Sequence, residues 1–168
     1  LKEMCDSIAS QPRVVGQIIE EVTRPNGLRI QKQRIPIGVI GMIFESRPNV
    51  VIDGAALAIK SGNAIILKGG KEAQHSNRAL MNVIEEATKG ILPEGSVSLI
   101  ESREDVAELL KLNQYIDLMV PRGGSALIDH VRKNATMPVV AHDKGLCHIY
   151  VHKDADVNRV IPIVLNAK

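Results

Sequence analysis

Short continuous apolar runs alternate along most of this chain with longer stretches in which apolar residues recur every three or four positions. Ile37-Gly38-Val39-Ile40-Gly41-Met42-Ile43-Phe44 is the first such run, the pattern of a strand buried on both faces. Residues 50–61 follow with a helical pattern (Val51, Ala55, Leu57, Ala58), stopped near Gly62. Residues 63–67 read as a strand. Residues 73–89 read as an amphipathic helix with Leu80, Val83, Ile84 and Ala87 on one face, ending at Gly90. Val97-Ser98-Leu99-Ile100 is a strand, and 103–112 a helix turning Val106, Leu109 and Leu110 inward. A strand over 116–120 precedes a helix over 125–134 with Leu127, Ile128 and Val131 inward. Residues 138–140 and 147–151 are two further strand candidates. Residues 156–168 are helical by pattern, with a kink or a later start expected because Pro162 removes an internal hydrogen bond.

Strands and helices alternating at this spacing predict an α/β fold. It is a Rossmann-like, doubly wound and mostly parallel sheet with helices on both faces. The opening of the chain breaks the pattern. Residues 1–10 read as the tail of a helix. Residues 14–35 hold two alternating runs around Pro25-Asn26-Gly27, a strong hairpin signal. The second run sets Leu28, Ile30 and Lys32 against Arg29, Gln31 and Gln33. Such a ribbon is either a solvated excursion or an arm laid on another domain or subunit, since two strands alone are marginal. The expected organisation is a helix tail and hairpin arm over 1–35 and a nucleotide-binding α/β domain over 36–168. No internal repeat or low-complexity segment is visible.

Composition removes several classes of function. The 168 residues are 45% apolar and 24% charged with a net charge of +2, ordinary for a globular domain and too small an excess to argue for nucleic acid or a membrane surface. Phe44, Tyr115 and Tyr150 are the aromatic residues, too few for binding by base stacking. Cys5 and Cys147 are far apart, and neither they nor the scattered histidines have metal-ligand spacing. A reducing cytoplasm is the expected location. No apolar run is long enough to cross a bilayer.

Candidate chemistry gathers in the loops after three strands, the edge where α/β sheets hold ligands. Lys68-Gly69-Gly70-Lys71 follows one strand, and Pro121-Arg122-Gly123-Gly124-Ser125 follows another. Each opens a helix, so exposed backbone N–H groups and cationic side chains face the same point, as a phosphate group requires. Neither loop is a Walker A or a G-x-G-x-x-G sequence; the first alone is better read as a solvated turn, and the presence of the second shifts the balance toward phosphate. Ser46-Arg47-Pro48-Asn49 lies at the same edge, either as a helix-starting turn or as the rim of the cleft. Cys147 reads as a buried core thiol. His148, its neighbour in a strand, would point to the other face. No catalytic residue is assigned within the chain, and no metal is expected.

With these motifs in order, the chain resembles the gamma-glutamyl phosphate reductases (glutamate-5-semialdehyde dehydrogenases) of the aldehyde dehydrogenase superfamily. The resemblance rests on Ile35-Pro36-Ile37-Gly38-Val39-Ile40-Gly41, Phe44-Glu45-Ser46-Arg47-Pro48-Asn49-Val50, Ser61-Gly62-Asn63-Ala64, Leu67-Lys68-Gly69-Gly70-Lys71-Glu72-Ala73 and Tyr115-Ile116-Asp117. Pro121-Arg122-Gly123-Gly124, Cys147-His148-Ile149-Tyr150-Val151 and Asn166-Ala167-Lys168 complete it. It implies an NADP(H)-binding domain, a separate catalytic domain and a hairpin arm for homo-oligomerisation, here 14–35. The reaction it implies is NADPH-dependent reduction of L-glutamyl 5-phosphate to glutamate 5-semialdehyde in proline biosynthesis. A cysteine thiolate displaces phosphate, and hydride then reduces the thioester.

By the same resemblance, Lys68 contacts the adenosine ribose or its 2′-phosphate, and Lys71 adds charge there. The 121–125 loop lies near the pyrophosphate or nicotinamide, with Ser46, Arg47, Pro48 and Asn49 on the nicotinamide and substrate side. The nucleophilic cysteine of the family follows the Asn-Ala-Lys motif, so it is expected beyond Lys168, and this portion alone is expected to be inactive. His142 falls near the superfamily's general-base glutamate, as suits an enzyme that need not activate water. A glutamate kinase, fused or separate, is an implied partner. The alternatives are a non-catalytic nucleotide-binding module and a domain acting mainly through its hairpin.

Overall fold

The computed structural model describes residues 1–102, 104–142 and 148–167. Its centre is a four-stranded, wholly parallel sheet of β3 (Val39–Phe44), β4 (Ala64–Lys68), β5 (Val97–Ile100) and β6 (Leu118–Arg122), in the order β5-β4-β3-β6. From β3 the chain winds outward through α2 (Asn49–Lys60) to β4 and through α3 (Gln74–Thr88) to β5. It then returns through α4 (Glu104–Leu109) to β6 on the other side of β3, and α5 (Ser125–Asn134) follows. Val139 adds a single parallel bridge to Met119, so the expected strand at 138–140 is reduced to one paired residue.

Alternation along the strands divides the core into two layers, one on each face. Phe44, Ile65 and Leu67 pack with Val51, Ala55 and Ala58 of α2 and with Met81 and Ile84 of α3. Ile43 and Met119 pack on the opposite face with Leu109, Leu110, Ile116, Val131 and Met137. This is the doubly wound arrangement that the apolar runs predict. The inward stripe of α3 differs from the expected one. Asn77, Met81 and Ile84 are buried, whereas Val83 and Ala87 are exposed.

Two polar side chains fix the N-terminal end of β3. Asn63 Oδ1 accepts the Ile37 and Gly38 N–H groups at 2.6 and 2.9 Å, and its amide donates to Ser61 Oγ at 2.8 Å. Asp117 Oδ2 accepts the Val39 N–H at 2.8 Å. The buried Asn63 thereby has donors and acceptors matched, as its burial requires. These clamps hold the strand ends opposite the candidate loops.

The hairpin consists of β1 (Ile18–Thr23) and β2 (Arg29–Gln33), antiparallel, with Val22 opposite Ile30 and Thr23 opposite Arg29. Its turn is a three-residue loop over 25–27. Gly27 has φ +84°, and Arg24 N–H donates to the Leu28 carbonyl at 2.8 Å. Every residue of both strands is exposed, including Ile18, Ile19, Val22 and Ile30. Before it, α1 (Lys2–Ser10) lies against α2 rather than with the arm. Lys60 Nζ donates to the Ala9 carbonyl at 2.8 Å, and Ile8 is buried.

The final helix, α6 (Val157–Asn166), starts at the Asp156 cap and continues through Pro162 without interruption. A later start is not needed, because the missing Pro162 N–H affects only the carbonyl of Asn158 in the first turn. Of the strand candidate at 147–151, Cys147 lies outside the described residues. His148–Val151 carry no strand, and they are exposed with no described strand beside them to pair with.

Candidate functional site

The sheet order reverses beside β3. The loop after β3 belongs to a crossover that leads one way, and the loop after β6 to a connection that leads the other. The gap between them is the topological switch point, where the carboxyl ends of parallel strands leave a crevice. A cavity of about 560 Å³ opens there, lined by Phe44, Glu45, Ser46, Arg47, Val50, Arg122, Gly123, Gly124 and His142. The guanidinium-bearing residues Arg47 and Arg122 therefore share one cleft, reached from two strand ends.

The Gly69–Lys71 loop lines a separate, narrow pocket of about 10 Å³ with Gln74, Asn77, Leu99, Ile100 and Glu101. The expected meeting of three loops is thus two adjoining pockets on one edge of the sheet. Gly70 sits at the boundary between them, where an added Cβ would lie 3.5 Å from the Glu45 backbone.

Lys68 is largely buried, and its ammonium donates to the Gly69 carbonyl at 2.7 Å, so it braces the loop from within. Lys71 is exposed, on the single 3-10 turn that leads into α3. Among the described residues, Asn77 Oδ1 is buried without a hydrogen-bond partner, an acceptor open to a ligand donor in that pocket. Across the pocket mouth, Arg78 forks onto Glu101, with Nε to Oε1 at 3.1 Å and Nη2 to Oε2 at 2.8 Å. The Arg78 hydrogen bond holds the Glu101 carboxyl below its ordinary value, and the same bond holds Arg78 above its own.

Pro121 is buried in β6, in register with Ile43. Gly124 is the N-cap of α5 and supplies no side-chain acceptor; Ser125 begins the helix and is exposed. The Glu45 carboxylate accepts the Gly124 N–H at 3.0 Å instead. Pro48 caps α2, and the Asn49 amide donates along the helix to Asp53 at 2.9 Å. Asn49 therefore turns toward its own helix, and the rim of the cleft is formed by Ser46 and Arg47. Glu45, within the expected 45–49 loop, and Gln74, Asn77 and Glu101 also line these pockets, with no role that the sequence alone assigns. An acid beside a phosphate loop has no sequence signature, although Glu45 and Glu101 both directly follow a strand.

The arrangement fits a dinucleotide. An open acceptor and a lysine lie at one end, and a helix N-terminus already holding a carboxylate, with two arginines beside it, lies at the other. Among the described residues, no group of three or more His, Cys, Asp or Glu is placed to hold a metal ion. No described helix is long and apolar enough to cross a membrane.

Residues 2–168 match the aldehyde dehydrogenase family, and the chain belongs to it. It is 53% identical over 166 residues to the gamma-glutamyl phosphate reductase of Wolinella succinogenes, an overlap of 97% of this chain and 40% of that protein. The crystal structure of the Thermotoga maritima gamma-glutamyl phosphate reductase superposes with a TM-score of 0.85 at 45% identity, over 98% of this chain and 41% of that one. The Saccharomyces cerevisiae gamma-glutamyl phosphate reductase gives 0.78 at 38% identity, over 99% and 43%. The chain spans about 40% of the length of the curated relatives it matches.

Proposed function

We propose that this chain is the cofactor-binding portion of a gamma-glutamyl phosphate reductase, which reduces L-glutamyl 5-phosphate to glutamate 5-semialdehyde with NADPH and releases phosphate. The observation that carries the reading is the placement of Lys68–Lys71, Arg122–Gly124 and Ser46–Arg47 on one edge of the sheet, the last two segments at its switch point. High identity to reductases over nearly the whole chain supports it.

In this reading the dinucleotide supplies the hydride. Its adenosine end lies at the Lys68–Lys71 loop, where the Lys71 ammonium discriminates for a 2′-phosphate and Asn77 Oδ1 accepts from a ligand hydroxyl or amine. Lys68 holds the loop in shape by tying down the Gly69 carbonyl. The backbone of Gly123 and Gly124 takes the pyrophosphate, with Ser125 at the same helix start. Ser46, Arg47 and Arg122 face the acyl phosphate and the nicotinamide. The attacking thiolate lies beyond Lys168, and His142 lines the cleft where a hydrolytic enzyme would need a carboxylate base. Domain boundaries at 1–35 and 36–168, self-association through the 14–35 hairpin, a glutamate kinase partner and a cytoplasmic location belong to the same proposal.

Titration of NADPH against NADH, on the protein and on Lys71→Ala, tests the assignment. NADPH is expected to bind more tightly, with most of that margin lost in the variant. Equal affinity for both, unaltered by the substitution, would remove the 2′-phosphate site.

A further inference from the structure

We propose that Glu45 is an internal anion that occupies the phosphate position at the start of α5 and must be displaced when the dinucleotide binds. The proposal rests on the NADPH-binding reading above and adds to it a residue that opposes the ligand.

Glu45 directly follows β3, on the floor of the switch-point cavity. Its Oε2 accepts the Gly124 N–H at 3.0 Å, and no side chain of α5 itself caps that helix. The carboxyl group rests against Gly123. A Cβ built there would lie 2.5 Å from Glu45 Cδ and 2.8 Å from Oε2, with the Glu45 side chain supplying all three of its nearest neighbours. The Gly124 N–H is therefore already taken by a carboxylate packed against Gly123, and it is the donor that a phosphate oxygen at this helix start would need.

Arg47 and Arg122 line the same cavity and add positive field to it. A carboxylate and a phosphate cannot share the Gly124 N–H, and their charges repel. Glu45 is exposed, so its carboxylate can swing into water at little desolvation cost. Binding then carries the cost of emptying the position, and the apparent affinity falls by the fraction of molecules in which it is empty. A weakened hold on the cofactor favours release of spent dinucleotide between turnovers.

The test uses the complete protein containing this chain, with NADPH and adenosine 2′-monophosphate as ligands in equilibrium titrations. Glu45→Gln and Glu45→Ala are expected to bind NADPH about three- to tenfold more tightly, from the loss of one charged contact at a helix N-terminus. Adenosine 2′-monophosphate carries no pyrophosphate and reads only the Lys68–Lys71 end, so its affinity is expected to stay the same, which also reports that the variants are folded. Unchanged or weaker NADPH binding with unchanged adenosine 2′-monophosphate binding would overturn the proposal; weaker binding would make Glu45 a ligand contact. Failure of the unmodified protein to prefer NADPH over NADH would instead count against the functional reading.

Discussion

Gly69 and Gly70 look interchangeable in the sequence, and the structure predicts that they respond oppositely to alanine. Neither has positive φ, so the backbone at both positions admits a side chain. A Cβ at Gly69 would lie 2.2 Å from Asn77 Nδ2 and 3.0 Å from Phe44 Cε2 and Cζ. Asn77 and Phe44 are each 2% exposed and have no room to retreat. Overpacking of this kind costs about 1–3 kcal/mol. At Gly70 the nearest atom is Glu72 Oε2 at 2.5 Å, the end of an exposed flexible side chain, and the next is backbone at 3.5 Å. There alanine should be neutral, or stabilising by up to about 1 kcal/mol through the unfolded chain. Urea unfolding of both variants measures the difference. Gly69→Ala should be the less stable by about 1–3 kcal/mol, and its NADPH affinity should fall because Asn77 and the β4 loop move together. Two variants equal within about 0.5 kcal/mol, the ordinary scatter of surface substitutions, would refute the reasoning.

Other consequences follow from the fold. Asn63→Ala removes the acceptor for two backbone donors at the start of β3, with an expected destabilisation of about 2–3 kcal/mol by chemical denaturation. The Arg78–Glu101 pair lowers the Glu101 pKa in the folded state, so its stabilisation is full above the ordinary value of 4.5 and fades as acid takes the pH down through the lowered native value. Arg78→Met should therefore flatten that part of the pH–stability profile, while an unchanged profile would show the pair to be inert. Deleting residues 14–35 should lower the molecular mass in solution of the complete protein if the exposed Ile18, Ile19, Val22 and Ile30 meet another copy. An unchanged mass would leave the ribbon without that role.

Where a side chain is buried on geometry alone, the sequence is readable. The runs through Ile43, Leu67 and Met119 are apolar on both sides because the sheet is covered on both faces, and the helices between them follow at the expected places. The buried face of α3 departs from its apolar periodicity because buried Asn77 is polar, while apolar Val83 is exposed. The apolar run at 149–151 resembles a strand, yet pairing requires a neighbour that spacing cannot supply. At the candidate site, glycines and cations at strand ends are legible because they stand out at fixed offsets from the apolar runs. Glu45 carries no such signal, and its contacts with Gly123 and Gly124 are visible only in the fold. The likeness to the reductases could be stated from consecutive motifs, but which loops share a cleft needed the strand order.

The central claim is that this sheet edge holds the hydride carrier for an acyl-phosphate reductase. It is tested most directly by running the proposed reaction backwards on the complete protein that contains residues 1–168, with glutamate 5-semialdehyde as substrate and NADPH formation as the readout. The account predicts NADPH formation that depends on inorganic phosphate and is faster with NADP⁺ than NAD⁺. Dinucleotide reduction that proceeds equally without phosphate would mark a hydrolytic aldehyde dehydrogenase and contradict it.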